Sequence, residues 1–207
     1  MRITYLFDPL CGWCYGASPV LERIAGDAEF ALDLLPVGLF AGDGARPMEP
    51  GFAAYAWSND QRIARLTGQP FSEAYRRQIL ADTTRPFDSG PATLALAAVP
   101  PERGLEALRA IQAARYVEGR DTTDTEVLAA VLAALGMEEA ALRLRAPDEA
   151  LIGACRGRMA EGRAAMRRFG ITGVPALLAG SGDARRAVPA NGLFGDADGL
   201  IASLRAG

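Results

Sequence analysis

The 207-residue chain has no histidine, and all 22 of its lysine-plus-arginine positions are arginine. Without His or Lys it cannot carry a Ser-His-Asp or Cys-His catalytic pair, an imidazole-ligated metal, a Schiff-base lysine or a P-loop. Chemistry is left to thiols, carboxylates, hydroxyls and backbone dipoles. Charge of one sign is also missing: the net charge is −3, with acids and bases mixed along the chain. There is no basic stripe to track phosphates or an anionic bilayer, so neither nucleic acid nor membrane is an expected partner. No run approaches the roughly 18 to 20 apolar residues of a membrane span. The first residues, MRITYLFDPLCGWC, carry one Arg and a short apolar stretch without the longer core and cleavage site of a signal peptide. A cytoplasmic location is the expectation.

Cysteine is scarce, at three residues: Cys11, Cys14 and Cys155. Reducing compartments rarely keep structural disulfides, so a close Cys pair there points to catalysis or metal binding. A closed zinc site takes about four ligands. Two near thiols, one distant Cys and no His supply too few, and no metal is expected. A buried structural pair is the remaining alternative to redox chemistry.

Half of the chain is hydrophobic, enough for the core of one compact α/β unit. RITYLF (2–7) is apolar and β-branched, as in a central strand covered on both faces, and Asp8-Pro9 closes it. Val20, Leu21, Ile24 and Ala25 make a helical stripe, which places CGWC at a strand-to-helix turn. FALDLL (30–35) reads as a second strand, and AGDG (41–44) as a turn.

From about 50 to 168 the period is helical. Ser89 and Pro91 open one helix that Pro100-Pro101 stops, while Thr123 to Glu126 has capping-box spacing before a helix that ends at Gly136. Tyr55 and Trp57 read as a helix-core cluster. Cys155, Met159, Met166 and Phe169 share one helical face, so Cys155 is expected to pack in the core. Strand-like text returns at 174–178 and 186–188, followed by a helix near 196–204. The order is β-α-β, a helical insert, then β-β-α, with a two-part α/β unit (1–48 and 166–207) interrupted by an inserted helical domain (49–165).

At spacing i, i+3 the two sulfurs fall on one side of a first helical turn, within disulfide reach. Cys11, beside unpaired N–H groups, would be the nucleophile, and Cys14, one turn deeper, the resolving thiol. Trp13, between them, is expected to be an exposed surface for substrate contact.

FDPLCGWCYG after the first strand, DSGPA and ARYVEGRDTTDTEVL in the helical block, and GITGVPA before the third strand together resemble the DsbA-like branch of the thioredoxin superfamily. The resemblance is to its cytoplasmic members of the predicted disulfide-isomerase, or FrnE-like, type. It implies a thioredoxin-like fold with an inserted helical domain, and thiol-disulfide oxidoreductase or isomerase activity at Cys11 and Cys14 without a dissociable cofactor. It implies protein or small-molecule thiols as partners, glutathione and thioredoxin-type reductants among them. It also implies a cis peptide at Val174-Pro175, with Val174 and Pro175 contacting substrate. The chain departs from the family's strong oxidases, which have Cys-Pro-His-Cys, because Trp13 stands in the His position. Relatives often keep a buried acid six residues before the nucleophile, where this chain has Tyr5; Asp8, expected to be less buried, is the substitute. Two other functions stay open. One is a glutathione-dependent isomerase like 2-hydroxychromene-2-carboxylate isomerase, in which a serine typically replaces the first thiol. The other is a non-enzymatic holdase using Trp13.

Overall fold

The computed structural model describes residues 1–206. The first strand, β1 (Arg2–Phe7), is inaccessible from Ile3 onward and runs through the middle of a four-stranded sheet. It pairs in parallel with β2 (Ala31–Pro36), joined through α1 (Gly12–Gly16) and α2 (Ser18–Ala25). The second strand begins one residue later than the hydrophobic pattern suggests, since Phe30 turns into the core instead of joining the ladder.

The long middle segment is helical. It contains α3 (Pro50–Thr67), α4 (Glu73–Tyr75) with a π-turn over Arg76–Leu80, α5 (Gly90–Ala98), α6 (Gly104–Tyr116), α7 (Thr125–Ala134), α8 (Glu138–Arg145) and α9 (Glu149–Arg168). Its periodicity did not reveal a two-residue ladder between β3 (Arg46–Pro47) and β4 (Pro86–Phe87). Pairs this short carry no alternation to read. The N-cap of α7 is Asp124, whose carboxylate accepts from the Glu126 N–H at 2.8 Å. Thr123 is not the capping-box residue, because its hydroxyl donates to Asp121. Gly136, at φ +71°, ends the helix as expected.

The chain returns to the sheet with β5 (Ala176–Ala179), antiparallel to β1, and β6 (Arg186–Val188), antiparallel to β5. The order across the sheet is β2-β1-β5-β6, and α10 (Ala197–Ala206) completes the fold. Val174 and Pro175 stand just before the ladder.

Strand alternation divides the sheet between two cores. Ile3, Tyr5 and Phe7 point to α2 and α10, packing with Leu21, Ile24, Leu200 and Leu204. Leu6 points the other way, to Leu35, Leu178 and Ala165. A third core fills the helical segment, around Ile63, Tyr75, Ile111, Leu128 and Leu132. Two helices join these cores. Leu151 of α9 lies in the helical core and Ala165 on the sheet, while Cys155 is buried between them at 5 % exposure. In α1, Tyr15 belongs to the helical core, and Cys11 and Cys14 belong to the sheet. No helix among the described residues is long and apolar enough to cross a membrane.

The approach of α9 to β2 depends on Gly162, where a Cβ would lie 2.4 Å from the Pro36 carbonyl oxygen. A Cβ at Gly157, on the same helix, meets nothing within 4 Å. Gly162→Ala is therefore expected to lower the unfolding free energy by about 1–3 kcal/mol through overpacking. Gly157→Ala should raise it by about 0.5–1 kcal/mol through helix propensity. Urea denaturation of the two variants reads the difference.

Candidate active site

The turn after β1 carries both thiols. Cys11 is the N-cap of α1, in extended conformation (φ −83°, ψ 116°), and its carbonyl accepts from the Tyr15 N–H at 3.0 Å. Its own N–H donates to the Asp8 carbonyl at 3.1 Å. The side chain does not cap the helix. Instead its sulfur faces the loop before β5, with Sγ 3.7 Å from the Val174 carbonyl oxygen, to which it donates. The Val174-Pro175 peptide is cis, as the resemblance implied. Cys11 is 7 % exposed and Cys14 is fully enclosed. Both are free thiols. Burial pushes the Cys14 thiol well above its ordinary range, and the neighbouring Cys11 sulfur adds to this. The two thiols thus occupy unequal environments, one at the edge of solvent and one behind it.

Tyr5 fills the position where relatives often keep an acid. Its hydroxyl donates to the Cys14 carbonyl at 3.1 Å, and burial raises its pKa, so it stays neutral. Asp8 departs from expectation: it is completely buried. One carboxylate oxygen accepts from the Leu10 N–H at 2.9 Å, the other from the Phe40 N–H at 3.1 Å and the Ser89 hydroxyl at 2.7 Å. The Phe40 segment and the start of α5 close over the Asp-Pro turn, and Ser89 spends its hydroxyl there rather than on capping α5. Burial pushes the Asp8 carboxyl up, and the hydrogen bonds offset part of that.

On its other side α1 rests on α3 through glycine. A Cβ on Gly16 would meet Ile63 at 2.5 Å, and one on Gly12 would meet the Asp60 carboxylate at 2.4 Å. Asp60 is 4 % exposed. Its second oxygen accepts from the Tyr75 hydroxyl at 3.1 Å. Burial pushes its pKa up to about 7, against the opposing effects of the Tyr75 hydrogen bond and the Arg115 charge. Arg115, itself buried, stacks over Tyr75, Phe87 and Tyr116, and the Tyr116 hydroxyl donates to the Leu10 carbonyl at 2.7 Å. Sequence reasoning passed over Asp60. Its signal was a carboxylate at offset 3 from Trp57 and 4 before Ala64, on the face of α3 that packs inward.

The mouth of the site is more enclosed than expected. Trp13 is half-buried, edge-on to Phe194 at 5.0 Å, with the Arg62 guanidinium 5.7 Å above its ring. Val174 is half-buried and Pro175 buried. Arg62 and Phe194 come from α3 and from the segment before α10, neither adjacent in sequence to any motif. The expected Tyr55–Trp57 core cluster is only half present: Trp57 packs against Tyr75, but Tyr55 is 67 % exposed. Helical spacing explains this, since residues two apart face different ways. Cys155 is away from the pair, lining a cavity of about 400 Å³ with Phe7, Leu34, Leu96 and Arg158.

No curated protein sequence matches the chain. Among solved structures, the cytosolic disulfide reductase DsbM from Pseudomonas aeruginosa is similar at 34 % identity and TM-score 0.88, over 100 % of this chain and 98 % of that one. The same enzyme with GSH gives 34 % identity and TM-score 0.86 over the same shares. A structure of 2-hydroxychromene-2-carboxylate isomerase shares the fold, at 18 % identity and TM-score 0.59, over 100 % of this chain and 94 % of that one. The family model described as DSBA-like thioredoxin domain matches residues 2–196. With its sheet, its thiol-bearing first turn and its helical insertion, the chain belongs to the DsbA-like thiol-disulfide oxidoreductase family.

Proposed function

We propose that the chain is a cytoplasmic thiol-disulfide reductase that works through Cys11 and Cys14 and takes its electrons from glutathione-class thiols. The observation that carries this reading is the pairing of a thiol at the solvent edge, facing Val174, with a second thiol enclosed one helical turn behind it.

The Cys11 thiolate attacks one sulfur of a substrate disulfide. A mixed disulfide forms on Cys11, and the other substrate sulfur leaves as a thiolate. Cys14 then loses its proton and attacks the Cys11 sulfur, which releases the second substrate thiolate and leaves a Cys11–Cys14 disulfide. Two electrons have passed to the substrate, and two thiol protons have balanced its two thiolates. Two molecules of a monothiol reductant restore the pair and leave as their own disulfide. The steps run backwards for oxidation, and disulfide shuffling needs only the first attack and its reversal.

Burial of Cys14 opposes negative charge on its sulfur, the neighbouring Cys11 sulfur adds to this, and the charge of Asp8 acts the same way. A strongly oxidising pair is one whose reduced form is stabilised, and this surrounding does the reverse. The likeness to a disulfide reductase, and to its complex with GSH, supports the same direction and the same class of thiol. In this reading Trp13, Val174 and Pro175 contact the substrate, an extended thiol-bearing chain lying along the Val174 backbone, with Phe194 and Arg62 flanking it. Residues 1–48 and 166–207 act as the redox unit, and 49–165 as the insert that closes over it.

Cys14→Ser provides the test. Incubated with glutathione disulfide, this variant should hold one glutathione on Cys11, read as a stable mass increment. Wild type should pass on to the intramolecular disulfide, and Cys11→Ser should reduce substrate no faster than buffer. Full turnover by Cys14→Ser in converting a small molecule, with no trapped adduct, would instead identify a glutathione-dependent isomerase.

A further inference from the structure

The cavity that Cys155 lines lies beside the outer edge of the sheet, where β2 has no further strand next to it. Its volume of about 400 Å³ falls in the range of about 300–1,000 Å³ common to small-molecule sites. Phe7, Leu96 and Val99 give it apolar walls, and Cys155 adds a thiol whose pKa burial raises, so that it carries no charge. The polar groups come from the strand edge. Ala31 and Val37 send their N–H groups toward β1, to the carbonyls of Met1 and Phe7, so by strand alternation Leu32 and Leu34 turn theirs outward. On that side the Leu34 carbonyl accepts from Arg158 at 2.7 Å, and Arg158 lines the same cavity. The Leu32 carbonyl and the Leu34 N–H have no protein partner among the described residues. Such groups in a largely apolar setting call for a partner of matching chemistry.

We propose that this cavity is a second ligand site, separate from the thiol pair, which takes a small, neutral, apolar amide as one residue of added strand. In a parallel pair, a residue donates its N–H to the carbonyl before its partner and accepts, at its own carbonyl, from the N–H after it. The Leu32 carbonyl and the Leu34 N–H flank Asp33 in this way, so one amide-flanked residue satisfies both. A longer strand has nowhere to continue. Arg158 takes up the next outward carbonyl, and Gly162 brings α9 against the carbonyl of Pro36. Charge narrows the class further: Arg158 is already shared between Asp33 at 2.7 Å and Glu161 at 3.0 Å, two acids to one base, so a ligand carboxylate is disfavoured. An uncharged amide meets the two backbone groups and leaves its apolar part for the walls. The inference does not depend on the chemistry assigned to Cys11 and Cys14.

The test is titration of the reduced, isotope-labelled full-length chain with N-acetyl-leucine amide, followed through the backbone N–H resonances. Saturable binding with a Kd of about 0.1–2 mM is expected for a probe of this size. The Leu34 and Cys155 resonances should move, the Leu34 proton downfield as it gains an acceptor, while those of Trp13 and Val174 stay in place. Methylating the leucine nitrogen of the probe removes its donor to Leu32 and should weaken binding by about fivefold or more, the worth of one hydrogen bond. N-acetyl-leucine, which carries a carboxylate, should also bind more weakly than the amide. Ala154→Phe, at the exposed rim of the cavity, should close the mouth and abolish saturation. No saturation by about 10 mM, several times the weakest expected Kd, would overturn the proposal. Equal binding of the methylated probe would overturn it too, as would full affinity in folded Ala154→Phe, or shifts at Trp13 and Val174 in place of Leu34. If Ala154→Phe does not fold, the comparison of probes decides alone. None of these readouts needs a Cys11–Cys14 disulfide. A chain that never forms one can still bind the amide, and one that cycles can fail to, so the two readings stand or fall separately.

Discussion

The contact between α1 and α3 sets the conditions for everything at the site. Helices pack with axes about 8–10 Å apart, and the shorter end of that range requires small residues at the crossing. Gly12 and Gly16 supply them, one on each side of the Trp13–Cys14–Tyr15 turn, and Ile63 and Asp60 occupy the space thereby left open. Because α3 comes this close, α1 is held on the seam between the sheet core and the helical core. Tyr15 goes to one and Cys14 to the other. A side chain at either glycine would lift α1 off α3 and bring water to Cys14 and Asp60, whose properties depend on its exclusion.

Once enclosed, the polar groups near the pair hold its turn in place. Tyr5 and Tyr116 are neutral hydroxyls that donate to main-chain carbonyls of Cys14 and Leu10, fixing the turn without adding charge. Asp8 is held by three donors, which makes it a structural knot joining the end of β1, the Phe40 segment and the start of α5. Such a knot costs about 1–3 kcal/mol for each partner left unsatisfied if it is broken. The arginines lie elsewhere: Arg62 over the Trp13 ring at the surface, Arg115 among aromatic rings within the insert. Burial raises the Cys14 thiol, and that is the physical basis of the proposed reducing pair.

Strong local signals were legible in the sequence. A nearly all-apolar run made β1, Pro91 and Pro100-Pro101 bracketed α5, and a helical face shared with Met159, Met166 and Phe169 pointed to burial of Cys155. CGWC at a strand end with Val174-Pro175 far downstream located the two facing segments, which no periodicity could have brought together. Other features depended on tertiary packing and left little trace. Asp8 reads as a turn residue, and only the approach of Phe40 and Ser89 buries it. Trp13 looked free because Phe194 and Arg62, which cover it, come from segments 181 and 49 positions away. Asp60 was visible only as a charge on an inward face, and its meaning depends on a glycine in another helix.

A reducing Cys11–Cys14 pair, as proposed, has its signature in the reduction potential. The full-length chain would be equilibrated in glutathione buffers of graded ratio, with free thiols counted by mass tagging and Trp13 fluorescence followed in parallel. A reductase of the proposed kind should form one disulfide reversibly, with a potential at or below the cytosolic glutathione poise of about −220 to −260 mV. A value near the about −120 mV of a strong oxidase, or no disulfide at any ratio, would contradict it.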